Sequence, residues 1–368
     1  MNPWNRRKFI QQISIGGLGI TLVPKIGWSQ IYEPSQVNEI IKKAYSIDAH
    51  NHVDVPFNKA SFSSKNDELL KHMKTSGLSA IGMTFCVDRP KLTYEGEAFE
   101  RFTTALYEMD ILLKDNGMQR ALNITDWEKA KKQGQPIVIQ AVEGGHFIEG
   151  KLDRIAIAHG RGLRHLGLLH DNQSTHPLGD IYTNPEKFGG LTALGKEVVK
   201  KANALGILVD LAHGSDKTVN DAIAISSKPI IISHTGLNTQ LGNDQRMAKI
   251  MMPRLINKEE AKLVANAGGV VGVWTHLAAN TDDMAKNIAA LVDVMGIAHV
   301  AIGTDTKILI PEVSNDHFGN LTNHAFKTIK KGFLYDLVAS LLNIGFNENE
   351  ILQIIGGNYA RVFKEATS

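Results

Sequence analysis

Tyr45-Ser-Ile-Asp-Ala-His-Asn-His-Val-Asp54 begins as a short apolar run and ends in His50-Asn51-His52. On a strand, side chains two positions apart point to the same face. His50 and His52 would then form a pincer at the strand's end, and neutral imidazole is the commonest protein ligand for zinc. An isolated His-x-His reads equally well as two surface histidines in a polar turn. The choice rests on the remainder of the chain, where five later apolar runs also end in ligand-type residues.

Those runs define the fold. Strand-like segments rich in Val, Ile and Leu are expected at Tyr45–His50, Ser79–Val87, Pro136–Glu143, Leu163–His170, Gly206–His213, Pro229–His234, Gly269–Trp274 and His299–Asp305. They lack clear polar alternation, as parallel strands buried on both faces do. A short helix, Pro34–Lys43, leads into the first. Helical patterns at Phe99–Asn116, Leu191–Leu205, Asp216–Ser226, Lys258–Ala267 and Thr281–Met295 separate most of the others. Eight strands in βα alternation predict a single (β/α)₈ barrel, closed by extra C-terminal helices at Phe326–Leu342 and Glu348–Ile355. No repeat, low-complexity tract or Pro/Gly/Ser linker divides it. Asp88–Leu92, Thr175–Gly190 and Gly236–Arg254 read as connections, and loops after barrel strands overlie the active-site face.

Composition narrows the chemistry. The 368 residues allow two average domains or one barrel. A net charge of +2 with 21% charged residues favours neither a nucleic-acid partner nor a membrane-surface role. The single cysteine, Cys86, excludes an intramolecular disulfide and a thiolate-rich zinc site, whereas fourteen histidines are ample for nitrogen and oxygen ligation. At the N-terminus, Asn5-Arg-Arg-Lys-Phe-Ile10 precedes an apolar run from Ile13 to Pro24. Residues 1–30 read as a twin-arginine-type export signal, leaving 31–368 as the barrel domain and predicting a periplasmic protein. The run is short for a span of about 20 residues, so no stable membrane span is expected after processing, although a retained anchor and a chance basic terminus are the other readings. No clean cleavage site stands out near Trp28-Ser29-Gln30.

Barrel strands converge at their C-terminal ends. His50 and His52 on the first, Glu143 on the third, His170 on the fourth, His213 on the fifth, His234 on the sixth and Asp305 on the eighth would share one mouth. Four histidines (His50, His52, His213, His234) and Glu143 make a nitrogen/oxygen ligand set suited to zinc, and two ions fit if Glu143 bridges them. Two such ions share a water, lower its pKa and polarise a carbonyl. Asp305 is then placed to hold the attacking water and pass its proton to a leaving amine, and His170 to stabilise an oxyanion.

The chain resembles the membrane (renal) dipeptidase family of zinc metallopeptidases, within the amidohydrolase-like group. The matching segments are Ile47-Asp-Ala-His-Asn-His52, Val142-Glu-Gly-Gly-His146, Gly162-Leu-Arg-His-Leu-Gly-Leu-Leu-His170 and Gly190-Leu-Thr-Ala-Leu-Gly-Lys-Glu197. They continue in Gly206-Ile-Leu-Val-Asp-Leu-Ala-His213 with Ser215-Asp-Lys-Thr218, Pro229-Ile-Ile-Ile-Ser-His234, Gly268-Gly-Val-Val-Gly272, Ile302-Gly-Thr-Asp305 and Gly356-Gly-Asn-Tyr-Ala-Arg-Val-Phe363. They are collinear over roughly residues 45 to 365. The resemblance implies two zinc ions bridged by Glu143, the first strand serving one and His213 with His234 the other. It further implies that His170 and Asp305 face the substrate, that Arg254 clamps its carboxylate, and that the chain forms a homodimer. Dipeptide hydrolysis next to a free carboxylate is the expected activity; a lactone, an N-acyl amino acid or a phosphoester is the alternative.

Two departures stand out. The family's first motif is normally His-x-Asp, where this chain has His52; the register His52-Val53-Asp54 would restore it only by shifting the strand. The spacing from His234 to Arg254 is long and the Asn that usually follows this Arg is missing, which leaves Arg246 as a competitor. Elsewhere, His146, His159 and His165 are expected to pack or face solvent, and His72, His176, His276, His299, His317 and His324 are given no role. Asp48 would orient an imidazole or sit in a turn, Asp210 would be a structural hydrogen-bond partner, and Cys86 a core residue on strand two.

Overall fold

All eight apolar runs form strands: β1 Ile47–His52, β2 Ala80–Thr84, β3 Ile137–Val142, β4 Leu163–Gly167, β5 Leu208–Asp210, β6 Ile231–Thr235, β7 Val270–Val273 and β8 Val300–Ile302. The structure, a computed structural model, describes residues 33–52, 68–183, 185–306 and 324–368. The segment read as an export signal, and Asp54 and His317, lie outside the described residues. Every neighbouring pair is parallel and the order is sequential, β1 to β8. The barrel closes where Asp305 N donates to His50 O at 3.1 Å and His52 N to Thr306 O at 3.0 Å.

The unalternating strands are explained by two cores. Ile47, Ala80, Ile137, Ile139, Leu208, Ile231, Val270 and Ala301 pack in one cluster with Trp127, Tyr359 and Phe363. Ile81, Val138, Val209, Ile232, Val271, Val300 and Ile302 join a larger cluster with the surrounding helices. Successive side chains point to opposite faces, and both faces are dry, so both must be apolar.

Helices occupy most expected places, and Pro34–Lys43 and Thr281–Met295 match throughout. Five were not anticipated: Glu68–Ser76, Ile124–Lys132, Asp153–Gly160, Gln245–Met251 and Asn358–Thr367. Gln245–Met251 lies inside the stretch read as a connection and starts at a regular cap, Asp244 accepting from Arg246 N and Met247 N at 2.9 and 3.1 Å. The first closing helix begins at Phe333 rather than Phe326. Glu348–Leu352 widens into a π turn at Gln353–Gly357, and a Cβ on Gly356 would stand 1.4 Å from Tyr45 O. That close approach lets Asn358–Thr367 bring Tyr359 and Phe363 onto the inner core.

Strands β4, β5 and β8 end three residues before His170, His213 and Asp305. For β5 and β8 local backbone geometry contributes: His213 and Asp305 have φ of 67° and 56°, in the left-handed region rather than the extended one. Holding a non-glycine residue there costs roughly 1–2 kcal/mol, and such strain collects at functional sites. Cys86 lies beyond β2 and is half-buried, which corrects its assignment to the core.

Candidate metal centre

Glu143 follows β3 directly, and five imidazoles surround its carboxylate. Its Oε1 lies 2.8 Å from His213 Nε2, 3.5 Å from His50 Nε2 and 3.6 Å from His234 Nε2. Its Oε2 lies 3.2 Å from His170 Nε2 and 3.6 Å from His52 Nε2. Asp305 completes the ring, with Oδ1 3.1 Å from His52 Nε2 and 3.8 Å from His50 Nε2. All seven residues expected at the mouth are brought together, contributed by β1, β3, β4, β5, β6 and β8 or the residues just beyond them.

The rings are fixed from behind. Ser233 Oγ lies 3.3 Å from His50 Nδ1 and 2.9 Å from His234 Nδ1. Asp171 Oδ1 stands 3.1 Å from His213 Nδ1, and Asp88 Oδ1 2.6 Å from His170 Nδ1. In these four rings Nδ1 is thereby held and Nε2 turned to the centre, the arrangement in which outer partners set ring tautomer and basicity for a metal.

The centre is wired for positive charge. Glu143 Oε2 is buried and accepts no hydrogen bond. His213 Nε2 and His234 Nε2 face one another at 3.0 Å, and His50 Nε2 and His52 Nε2 at 3.3 Å. Nitrogens this close with lone pairs converging need a cation or a shared proton between them. Burial opposes ionisation of Glu143, yet His170, His50 and His213 hold it well below the usual carboxylate range. Burial likewise opposes ionisation of Asp305, and His234, His276 and His52 outweigh it. Burial first, then His234, drives His50 well below its ordinary value, and burial takes His234 down to about 4. Burial also works against a proton on His213, but hydrogen bonds to Asp171 and Glu143 raise it to about 10. The donor set of imidazoles and carboxylates fits borderline divalent ions. Ligand atoms of His50, Glu143, His234 and Asp305 lie within 4.8 Å of one another, as do those of Glu143, His170 and His213.

The structure adds residues that sequence reasoning passed over. His276, given no role, places Nε2 2.8 Å from Asp305 Oδ2. Asp88, taken as part of a connection, is fully buried; besides His170 it accepts from Asn172 N and Nδ2 at 3.2 and 3.0 Å, and although burial pushes its pKa up, the bond to His170 pulls it down to about 2. Asp171 bonds His213, Tyr182 Oη at 2.6 Å, Arg254 Nη2 at 2.8 Å and Arg89. The available signal was a carboxylate immediately after a candidate histidine. Arg254 is thus at the mouth, its guanidinium 5.2 Å over the Tyr182 ring, whereas Arg246 is exposed on its helix. His146 is buried, Nε2 2.6 Å from Asn172 O, so it packs rather than faces solvent. His165 and Asp210 bond each other at 3.1 Å in the core, and Asp48 is buried against Thr304 and the backbone of His50.

Comparison with known proteins adds a family. Over 271 residues the chain is 23% identical to dipeptidase 3 of Homo sapiens, covering 71% of this chain and 51% of that protein. It spans about half the length of the curated relatives it matches. In fold it is similar to an amidohydrolase from Pseudomonas aeruginosa, with TM-score 0.72 at 22% identity over 90% of this chain and 98% of that one. It is equally similar to the probable dipeptidase PvdM of the same organism, with TM-score 0.73 at 17% identity over 91% and 98% of the two chains. The family profile described as membrane dipeptidase, Peptidase family M19, matches residues 35–368, and with that span the chain belongs to the membrane dipeptidase family.

Proposed function

We propose that this protein is a zinc-dependent dipeptidase that hydrolyses an amide bond next to a free carboxylate. One observation carries the reading: five imidazoles converge on the buried carboxylate of Glu143, whose Oε2 is left without a hydrogen bond. His50, His52 and Glu143 would hold one zinc ion, and Glu143, His213 and His234 the second. Such ions, when bound, lower the pKa of a water and polarise a carbonyl. The protein's own groups do the rest. Asp305, held by His52 and His276, takes a proton from the attacking water and delivers it to the leaving amine. His170, held at Nδ1 by Asp88, turns its Nε2 to the oxygen on which charge develops and donates to it when both ring nitrogens carry protons. Arg254 pairs with the substrate's carboxylate.

The second reading, a lactone, N-acyl amino acid or phosphoester as substrate, draws on His52 standing where the family has an acid. One negative charge fewer at the mouth weakens the hold on a free ammonium group. Export by the twin-arginine route belongs to the same proposal; its support is the Arg6-Arg7 segment, which precedes the start of the family match at residue 35. Among the described residues no helix is long and apolar enough to cross a membrane.

The test is elemental analysis of protein purified without chelator, joined to dipeptide hydrolysis before and after metal removal. Two zinc per chain and cleavage that disappears and returns with the metal are expected. Two metals with no dipeptide cleavage would shift the reading to the other substrates, and no stoichiometric metal would overturn it.

A further inference from the structure

Asp171 ties together groups from four different loops. Its Oδ1 takes Tyr182 Oη at 2.6 Å and faces His213 Nδ1 at 3.1 Å; its Oδ2 takes Arg254 Nη2 at 2.8 Å and also Arg89 Nη2. Two guanidinium groups therefore meet at one oxygen. Arg89 is not a loose surface residue, because Asp88 beside it is fully buried and bonded to His170 and Asn172. The segment after β2 is laced twice to the segment after β4, by Asp88 to His170 and Asn172 and by Arg89 to Asp171.

The charges decide what this arrangement can do. With His213 neutral, as a metal ligand must be, Arg254 with Asp171 alone is a neutral pair and a poor receptor for an anion. Arg89 leaves one positive charge in excess, which matches a single carboxylate. The cluster also lies one imidazole from Glu143, through His213. The side chain of Arg89 is 58% exposed and that of Arg254 23%, so the pair presents a wet outer and a drier inner guanidinium.

We propose that Arg89 and Arg254 together form the receptor for the substrate's carboxylate, with Asp171 as the internal counter-ion that holds the two guanidinium groups side by side. Arg89 is then a specificity-determining residue: it restores the positive charge that Asp171 takes from Arg254. The proposal rests on the dipeptidase reading for its substrate class.

The test uses zinc-loaded protein, wild type and Arg89→Gln, with Arg89→Lys as the charge-conserving control. KM is measured for Ala-Ala and for Ala-Ala amide, and binding of the leaving product alanine and of alaninamide is titrated by NMR. Arg89→Gln is expected to raise the acid-to-amide KM ratio at least tenfold and to weaken alanine binding in the same proportion, with kcat for Ala-Ala nearly unchanged. Arg89→Lys should recover part of the loss. An unchanged ratio and unchanged alanine affinity in Arg89→Gln would overturn the proposal while wild-type cleavage left the dipeptidase reading standing. Should the wild type cleave no dipeptide, the alanine and alaninamide titrations still decide the role of Arg89.

Discussion

Two sets of buried polar side chains occupy this barrel, one at the strand ends and one further back along the same strands. The two carboxylates of the inner set are satisfied within the protein, although Asn51 Oδ1 beside Asp48 has no partner. Asp210 Oδ1 accepts from Ala212 N and Ser233 N at 3.0 and 2.9 Å, its Oδ2 faces His165 Nε2 at 3.1 Å, and His165 Nδ1 faces Tyr359 Oη at 3.0 Å. Asp48 likewise accepts from Thr304 N and Oγ1, both at 2.7 Å, and from Asn51 Nδ2 at 3.0 Å. The outer set ends instead in a bare Glu143 Oε2 and nitrogens aimed at nitrogens. Buried polar groups are normally paired, so a satisfied network is scaffold and an unsatisfied one asks for a ligand. Ser233 joins the two, its N held by Asp210 and its Oγ against His50 and His234.

Breaking the outer set should remove function without unfolding the barrel. Glu143→Gln is expected to abolish binuclear metal binding and to lower kcat by more than about 10⁴-fold, beyond the range of a lost acid or base. Two zinc ions retained per chain in that variant would end the bridging role. Asp305→Asn should keep both ions and lower kcat by about 10²–10⁴-fold; a normal kcat would refute its part in proton transfer.

The inner set should fail in the opposite way. Asp210→Asn leaves His165 without its charged partner and is expected to cost about 3 kcal/mol of stability, read by denaturant unfolding. Zinc per folded chain and KM should stay near wild type, and metal loss at full stability would erase the distinction between the two sets. A smaller effect concerns another buried carboxylate, Glu260, in the helix Lys258–Asn266. Burial, then Asp216, raises its pKa to about 8, and its Oε1 has no hydrogen bond. The folded state holds that proton more tightly than the unfolded chain. Its stabilising contribution is complete below about pH 4.5, the ordinary glutamate range, and is lost as pH rises towards 8. Glu260→Gln should therefore raise Tm by about 2 °C at pH 8 and leave it unchanged at pH 4; equal shifts at both values would show that the charge is not the cause.

Two of the helices that were not anticipated share a cause. Asp153–Gly160 and Gln245–Met251 are short, of eight and seven residues, so their apolar period repeats barely twice and local pattern is weak. The strand ends were overestimated for another reason, since apolar character continues past the last strand residue in Leu168-Leu169-His170 and Leu211-Ala212-His213. Hydrophobicity records burial, and burial extends beyond pairing.

The eight apolar runs, their order and the seven ligand-type residues at their ends were determined by sequence alone. Parallel strands buried on both faces must be apolar throughout, and the residue that breaks such a run marks the mouth. Only the tertiary structure decided that His276 holds Asp305, that Asp88 holds His170, and that Asp171 gathers Arg89, Tyr182, His213 and Arg254. These partners lie between 11 and 83 positions apart, on loops whose paths no periodicity encodes. Barrel closure alone brings them within hydrogen-bond reach.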